Sequence, residues 1–263
     1  MSIAVIVQAR FGSSRLAGKA VMTLGNRRVL DLVLDRCARI QGVRDVICAV
    51  PCSVENDVVA RAAEQAGYAA VRGPEDDVLE RYVLAARSSS ADLVFRVTSD
   101  CPFIDPALCS ATLDFMLEQG ADYGTNTMPA RFPHGLDCEV FTKDWLLKAG
   151  REASTAFERE HVTPFIREHQ QVRTACLLGP GEGVERFRWT LDYPEDYAFC
   201  EDVFGRLGQK AETASAAQLA ELCRANPELT AINALRVNRA RVEDEGCADV
   251  ISKPVALSGE PLI

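Results

Sequence analysis

The sequence has no Cys-x-x-Cys pair, although it contains 10 cysteines in 263 residues. Cys37, Cys48, Cys176 and Cys200 lie within apolar stretches, so a disulfide framework is excluded and reduced, mostly buried thiols are expected. Long apolar runs are missing too. The opening stretch, residues 1–7, stops at Gln8 and Arg10, too short for an export signal and far too short to span a bilayer. A cytoplasmic protein without a membrane partner is therefore expected. Positive charge is in deficit: the formal net charge is −9. The long-range field of such a chain repels polyanions, which argues against general binding to DNA, RNA or anionic lipid. Repeats and low-complexity tracts are absent. One local absence points the other way. Residues 1–30 hold no Asp or Glu but carry Arg10, Arg15, Lys19, Arg27 and Arg28. The most basic stretch of an acidic chain thus follows its first apolar run, and a small anionic ligand is expected there.

What is present is an alternation of periods. Residues 3–7, 46–50, 69–71 and 93–97 are continuous apolar runs of the kind buried on both faces of a parallel sheet. Between and after them, residues 29–40, 56–66, 77–86 and 107–117 have helical spacing. Strand and helix alternate, which predicts an α/β fold with a doubly wound, mostly parallel sheet. Ligands of such sheets sit outside the carboxyl ends of the strands, a rule that selects residues 8–19 and 98–102. Residues 123–136 are rich in Gly, Pro and Asn. With a short strand at 137–141 and a helix at 145–149 they read as a small central insertion, 123–150, suited to an acceptor site or a subunit contact. Thr155 and Glu158 have capping-box spacing ahead of a helix that Pro164 interrupts. Residues 172–178 and 187–191 read as two further strands. The main domain is placed at 1–204. Residues 205–263 read as an extension with helices near 216–224 and 229–239 and a polar tail containing Pro254 and Pro261.

Two constellations carry chemistry. The first lies after the first strand, where Gln8, Ala9, Arg10, Gly12, Ser13, Ser14, Arg15, Gly18 and Lys19 offer three cations, two glycines and two hydroxyls on one loop. Those are the parts of a polyphosphate site. The loop is not a Walker A motif, because five residues separate Gly12 from Gly18 and Lys19 precedes Ala20 rather than Ser or Thr; nor is it G-x-G-x-x-G. A solvated basic turn is the plainer alternative, and three cations around two glycines argue against it. The second constellation is a pair of aspartates, Asp100 and Asp192, each placed at a strand end. Parallel strands in one sheet would let them converge, and two hard oxygen ligands suit Mg²⁺, which takes its remaining positions from water and phosphate. Taken singly, each would equally serve as a turn or helix cap.

Here the sequence resembles a known family. Val7-Gln-Ala-Arg10 through Ser14-Arg-Leu-Ala-Gly-Lys19 is similar to the N-terminal signature of the CMP-sugar synthetases, which include the CMP-Kdo and CMP-sialate synthetases. Gly73-Pro-Glu-Asp-Asp-Val-Leu-Glu-Arg-Tyr82, Arg96-Val-Thr-Ser-Asp-Cys-Pro102 and Arg188-Trp-Thr-Leu-Asp-Tyr-Pro-Glu-Asp196 resemble the spore coat polysaccharide biosynthesis branch. Together these motifs span residues 1 to about 205. The resemblance implies the nucleotide-diphospho-sugar transferase (GT-A-like) fold and a cytidylyltransferase that moves CMP from CTP to a small acceptor, with pyrophosphate released. Arg10, Arg15, Lys19 and Asp100 would carry the catalysis. Arg72, Asp77, Arg81 and Ser99 would join the loop around the nucleotide, and Asp100 and Asp192 would hold Mg²⁺. Asn126, Arg131, His134, Asp137, Glu139, Glu160 and His161 match acceptor-side motifs, with Thr125 standing where the branch has Ser. Ala17 stands where the family usually has Pro, a change in loop stiffness rather than chemistry. A sugar acid or related derivative is the implied acceptor, and a homodimer the implied assembly.

Three other readings remain open at this point. A glycosyltransferase of the same fold is one, although its D-x-D metal motif is missing at Thr98-Ser-Asp100. A nucleotidyltransferase for another base and a catalytically inert nucleotide-binding scaffold are the others.

Overall fold

The computed structural model describes residues 1–244 and 250–262. The chain begins with β1 (Ile3–Gln8), turns through a small antiparallel pair, β2 (Thr23–Leu24) and β3 (Arg27–Arg28), and enters α1 (Val29–Cys37). Strands and helices then alternate as expected: β4 (Val43–Pro51), α2 (Asp57–Gln65), β5 (Ala69–Gly73), α3 (Val78–Arg87), β6 (Leu93–Thr98) and α4 (Pro106–Glu118). There follow β7 (Tyr123–Thr125), β8 (Glu139–Thr142), α5 (Lys143–Glu152), α6 (Ala156–His161), α7 (Pro164–Arg167) and β9 (Thr174–Leu178). The rest comprises α8 (Pro194–Leu207), α9 (Ala216–Ala225), α10 (Pro227–Ala231), α11 (Arg239–Glu243) and β10 (Ile251–Pro254). Local chemistry explains the helix starts. Asp77 accepts the Glu80 amide at 2.9 Å, Asp105 accepts the Ala107 amide at 2.8 Å ahead of Pro106, and the Thr155–Glu158 capping box forms as its spacing predicts.

Eight strands form one sheet in the order β10-β9-β7-β8-β6-β1-β4-β5. Only the pairings of β8 with β6 and β7 are antiparallel, so the mostly parallel, doubly wound expectation holds. Alternation along β1 divides the core. Ile3, Val5 and Val7 pack on one face with α1, α2, α4, α8 and α9, while Ile6 joins residues of α3 and α5 on the other. No helix among the described residues is long and apolar enough to cross a membrane.

The 123–150 segment contributes β7 and β8 to the centre of the sheet. Three other segments depart from the sequence reading. Residues 187–191 form no strand. Their backbone groups bond to loops: the Phe187 carbonyl accepts the His134 N–H at 3.0 Å, Trp189 donates to the His134 carbonyl at 2.7 Å, and Leu191 donates to the Asp100 carbonyl at 2.8 Å. Trp189 and Leu191 are buried without a ladder, so apolar periodicity alone misread them. The polar tail contains β10, which adds parallel to β9 at the sheet edge, where Pro254 forfeits no interior ladder bond. The helix expected at 229–239 breaks into α10, a single turn at Ala234–Arg236 and the start of α11.

The C-terminal region is tied to the sheet by buried polar groups. Arg36, 2% exposed, donates to the carbonyls of Ile104, Ala211 and Ala214, and burial pulls its guanidinium down to about 10. Asp105 accepts the Ala216 amide at 2.7 Å. The loop at 132–136 meets residues 188–190 so closely that Gly135, with φ of +110°, could carry no Cβ: the atom would fall 2.7 Å from the Thr190 nitrogen. Gly135→Ala is expected to cost more than about 2 kcal/mol in urea unfolding, from combined strain and overlap. A loss below about 0.5 kcal/mol would show that this approach is not a constraint.

Candidate active site

The loop after β1 is shaped by its own backbone. Gly18, in the left-handed region at φ +70°, donates to the Phe11 carbonyl at 2.9 Å, and the Phe11 amide donates to Asn56 Oδ1 at 2.7 Å. This closes the loop and sends Lys19 into a tight turn at the sheet edge. A cavity of ≈ 560 Å³ opens there. Of the sequence candidates, Gln8, Ala9, Arg10, Ser13, Ser14, Arg15, Lys19, Arg81, Ser99 and Asp100 line it; Gly12, Arg72 and Asp77 do not. Arg72 is committed elsewhere, donating to the carbonyls of Pro51 at 2.9 Å and Ser53 at 2.8 Å and pairing with Asp57. Asp77 caps α3 and accepts the Arg159 Nε at 2.7 Å, which holds α6 against α3 and so places Glu160 and His161.

Asp100 and Asp192 do converge, though not as the ends of parallel strands. Leu191 N–H and the Thr190 hydroxyl donate to the Asp100 carbonyl, at 2.8 and 3.2 Å, which fastens the 190–192 segment beside β6. Lys19 Nζ then donates to Asp100 Oδ2 at 2.7 Å and to Asp192 Oδ1 at 2.8 Å. Burial would raise the Asp100 carboxyl, but the Lys19 charge and hydrogen bond, with the Thr98 hydroxyl, hold it down at about 2. Burial would lower the Lys19 ammonium, and the two carboxylates raise it instead. Two partly exposed carboxylates are a fitting donor set for a divalent cation that completes its shell with water and phosphate.

A second cavity, of ≈ 480 Å³, adjoins the first and shares Arg96, Thr98, Asp100, His161 and Asp192 with it. His134, Asp137, Glu139 and His161 of the expected acceptor set line it, whereas Glu160 lines the first cavity. Asn126 and Arg131 line neither. Asn126 is fully buried and holds the adjacent loop, donating to the Leu136 carbonyl at 2.8 Å and accepting the Cys138 amide at 3.0 Å. Among the described residues Arg131 reaches only the Ala130 carbonyl, at 3.4 Å. Glu139 is buried among Arg96, Tyr123 and Thr163. Burial pushes its carboxyl up, and these partners, Arg96 foremost, bring it below the usual range.

His134 has an assigned tautomer. Arg188 Nη1 lies 3.0 Å from His134 Nδ1, and because guanidinium has no acceptor, Nδ1 must accept. Burial, with Arg241 and Arg188 adding to it against Asp137, lowers the ring's pKa. A neutral ring therefore carries its proton on Nε2, 4.0 Å from Asp137 Oδ2.

Several lining residues escaped the sequence reading as site groups. Arg96 had a signal, a cation inside an otherwise apolar strand. Arg167 and Phe157 had none. Arg241, on α11, donates to Asp137 Oδ1 at 2.6 Å from a position 104 residues away, and no local pattern marks it.

The cytidylyltransferase family profile matches residues 4–226. The uncharacterized protein MJ1063 of Methanocaldococcus jannaschii is 34% identical over 199 residues, covering 75% of this chain and 81% of that one. The spore coat polysaccharide biosynthesis protein SpsF of Bacillus subtilis is 33% identical over 236 residues, 86% of this chain and 95% of SpsF. A solved structure of a cytidylyltransferase from Leptospira borgpetersenii superposes with a TM-score of 0.81 at 27% identity, covering 88% of this chain and 97% of that one. With its cation-lined cavity, its paired aspartates and a family match over most of its length, the chain belongs to the cytidylyltransferases, the CTP-dependent nucleotidyltransferases.

Proposed function

We propose that the protein transfers CMP from CTP to a small hydroxyl-bearing acceptor, a sugar acid or related sugar derivative, and releases pyrophosphate, in surface polysaccharide or glycoconjugate biosynthesis. The observation that carries this reading is the pair of adjoining cavities with Asp100 and Asp192 on their common wall. The triphosphate fits the first, where Arg10, Arg15 and Lys19 offset its charge and stabilise the departing pyrophosphate. Asp100 and Asp192 would hold Mg²⁺, which supplies neutralisation of the phosphate oxygens in an in-line displacement.

The acceptor fits the second cavity. His161 lines both cavities, so it can orient the acceptor hydroxyl or take its proton as the oxygen bonds to the α-phosphorus. The neutral His134 ring offers an Nε2–H to an acceptor oxygen. Among the described residues Arg167 makes only a 3.5 Å ionic contact, with the exposed Glu168, which leaves its charge available to an acceptor carboxylate. The likeness to SpsF, a spore coat polysaccharide biosynthesis protein, supports the polysaccharide context. The same reading places the protein in the cytoplasm, where its thiols stay reduced, and makes it a homodimer, as the family resemblance implies.

CTP with Mg²⁺ at about 100 times its dissociation constant is expected to raise Tm by roughly 5–10 °C, and UTP, GTP and ATP by much less; equal shifts for all four nucleotides would refute cytosine selectivity. Asp192→Asn should lower Mg²⁺-dependent pyrophosphate release at least about 10²-fold with the fold intact by circular dichroism, and unchanged turnover would remove Asp192 from the metal site. Arg241→Met should raise the acceptor KM about tenfold or more while leaving the CTP KM within about twofold; an equal rise in both would place Arg241 outside the acceptor side. Because the folded Asp100 carboxyl sits near 2 against an ordinary 3.8, its contribution to stability is complete above about 3.8 and is lost as pH falls towards 2. In Lys19→Met burial prevails and the carboxyl titrates higher, so acid unfolding followed by circular dichroism should begin at a higher pH than in the unaltered protein.

A further inference from the structure

We infer that Lys19 controls access to the metal site as well as binding phosphate. In the nucleotide-free protein its ammonium holds the place between Asp100 and Asp192 that a divalent cation would take, and the cation is retained only after a polyphosphate has drawn Lys19 away. The inference rests on the proposed two-carboxylate metal site.

The geometry sets the two occupants against each other. Lys19 Nζ is 2.7 Å from Asp100 Oδ2 and 2.8 Å from Asp192 Oδ1. A magnesium ion at its usual distance of about 2.1 Å from either oxygen would lie within about 5 Å of the ammonium, in a partly buried pocket where like charges are poorly screened. The other two oxygens are also engaged: Asp100 Oδ1 accepts the Thr98 hydroxyl at 2.5 Å and Asp192 Oδ2 accepts Arg188 Nη2 at 3.1 Å. A cation arriving alone therefore competes at every oxygen with a donor that the protein itself supplies.

Of these donors only Lys19 has somewhere to go. Thr98 is the last residue of β6. Arg188 is buried and forked onto Asp196, with both contacts at 2.8 Å. Lys19 instead opens a short turn at the end of an exposed loop and lines the nucleotide cavity beside Arg10 and Arg15. Among the described residues those two arginines have no carboxylate partner. A triphosphate bound on them offers Lys19 a denser negative charge than the two carboxylates, on a flexible four-carbon stem that can swing to it. Withdrawal of the ammonium then leaves two adjacent carboxylates uncompensated on that side, and a dication is the natural replacement. Nucleotide binding thus prepares the metal site, and the protein holds no metal in the absence of nucleotide.

The test is Mn²⁺ binding to the nucleotide-free full chain, read from the electron paramagnetic resonance of unbound Mn²⁺. Lys19→Met should bind Mn²⁺ about tenfold or more tightly than the unaltered protein. Lys19→Arg, which keeps a cation in place, should bind as weakly as the unaltered protein, and adding Asp192→Asn to Lys19→Met should abolish the gain. Lys19→Met binding no tighter than the unaltered protein overturns the inference, whether both bind or neither does. Should Lys19→Met not fold, the unaltered protein still decides: tight nucleotide-free Mn²⁺ binding that Asp192→Asn removes would overturn the inference, and its absence is the expected result. Failure of the underlying metal site is recognised separately. In that case Asp192→Asn would leave Mn²⁺ binding unchanged in the presence of α,β-methylene-CTP.

Discussion

The carboxylate of Asp196 has no solvent contact, and the site is organised around the need to satisfy it. Taking an ionised carboxylate out of water costs several kcal/mol unless it is paired and fully hydrogen-bonded. Arg188 supplies the charge in a two-pronged contact, the amides of Asp192 and Tyr193 donate at 3.0 Å each, and the Asn233 side-chain amide donates at 3.0 Å. Each partner does a second job. Arg188 extends to Asp192 and His134, the two amides begin α8, and Asn233 also donates to the Arg188 carbonyl. One buried charge thereby sets the position of a candidate metal ligand, the tautomer of a histidine in the second cavity and the docking of the C-terminal segment.

The two cavities are built differently, which accounts for their different chemistry. The first is made by the loop after β1 and by the α3 and α6 segments opposite it, so its cations come mostly from one stretch of chain. The second collects side chains from β6, the 127–139 loop, α6, α7, the 190–192 segment and α11. Two of its ion pairs are internal, Arg96 with Glu139 and Arg241 with Asp137, while Arg167 has, among the described residues, no carboxylate partner within the cavity lining. A pocket lined this way presents fixed donors and acceptors in place of one strong field. Around Tyr193 three guanidinium groups gather, those of Arg236 at 4.2 Å, Arg15 at 5.0 Å and Arg188 at 5.6 Å from the ring centroid. The aromatic face accommodates this concentration of positive charge and links the loop after β1 to the C-terminal segment.

Sequence alone determined the strand and helix alternation through α4, the turn after β1 and the capping box of α6, because each rests on contacts between residues near one another in the chain: apolar period, glycine at a left-handed position, a side-chain oxygen three residues before an amide. Motif resemblance added the pairing of Asp100 with Asp192. What only the tertiary structure decided was which way the remaining polar groups face. Arg72, Asn126 and Arg131 have the right chemistry for a ligand, yet Arg72 and Asn126 satisfy backbone groups of neighbouring loops, and Arg131 lines neither cavity. Arg167 and Arg241 carry no local mark, yet they reach the second cavity. The 187–191 segment has strand periodicity, but its backbone groups bond to loops, and β10 is short and polar yet adds to the sheet. For Arg241, the 187–191 segment and β10 the deciding partner lies in a distant part of the chain. A buried polar group is settled by whichever donor or acceptor the fold brings within hydrogen-bond reach, and spacing along the sequence holds no record of that meeting.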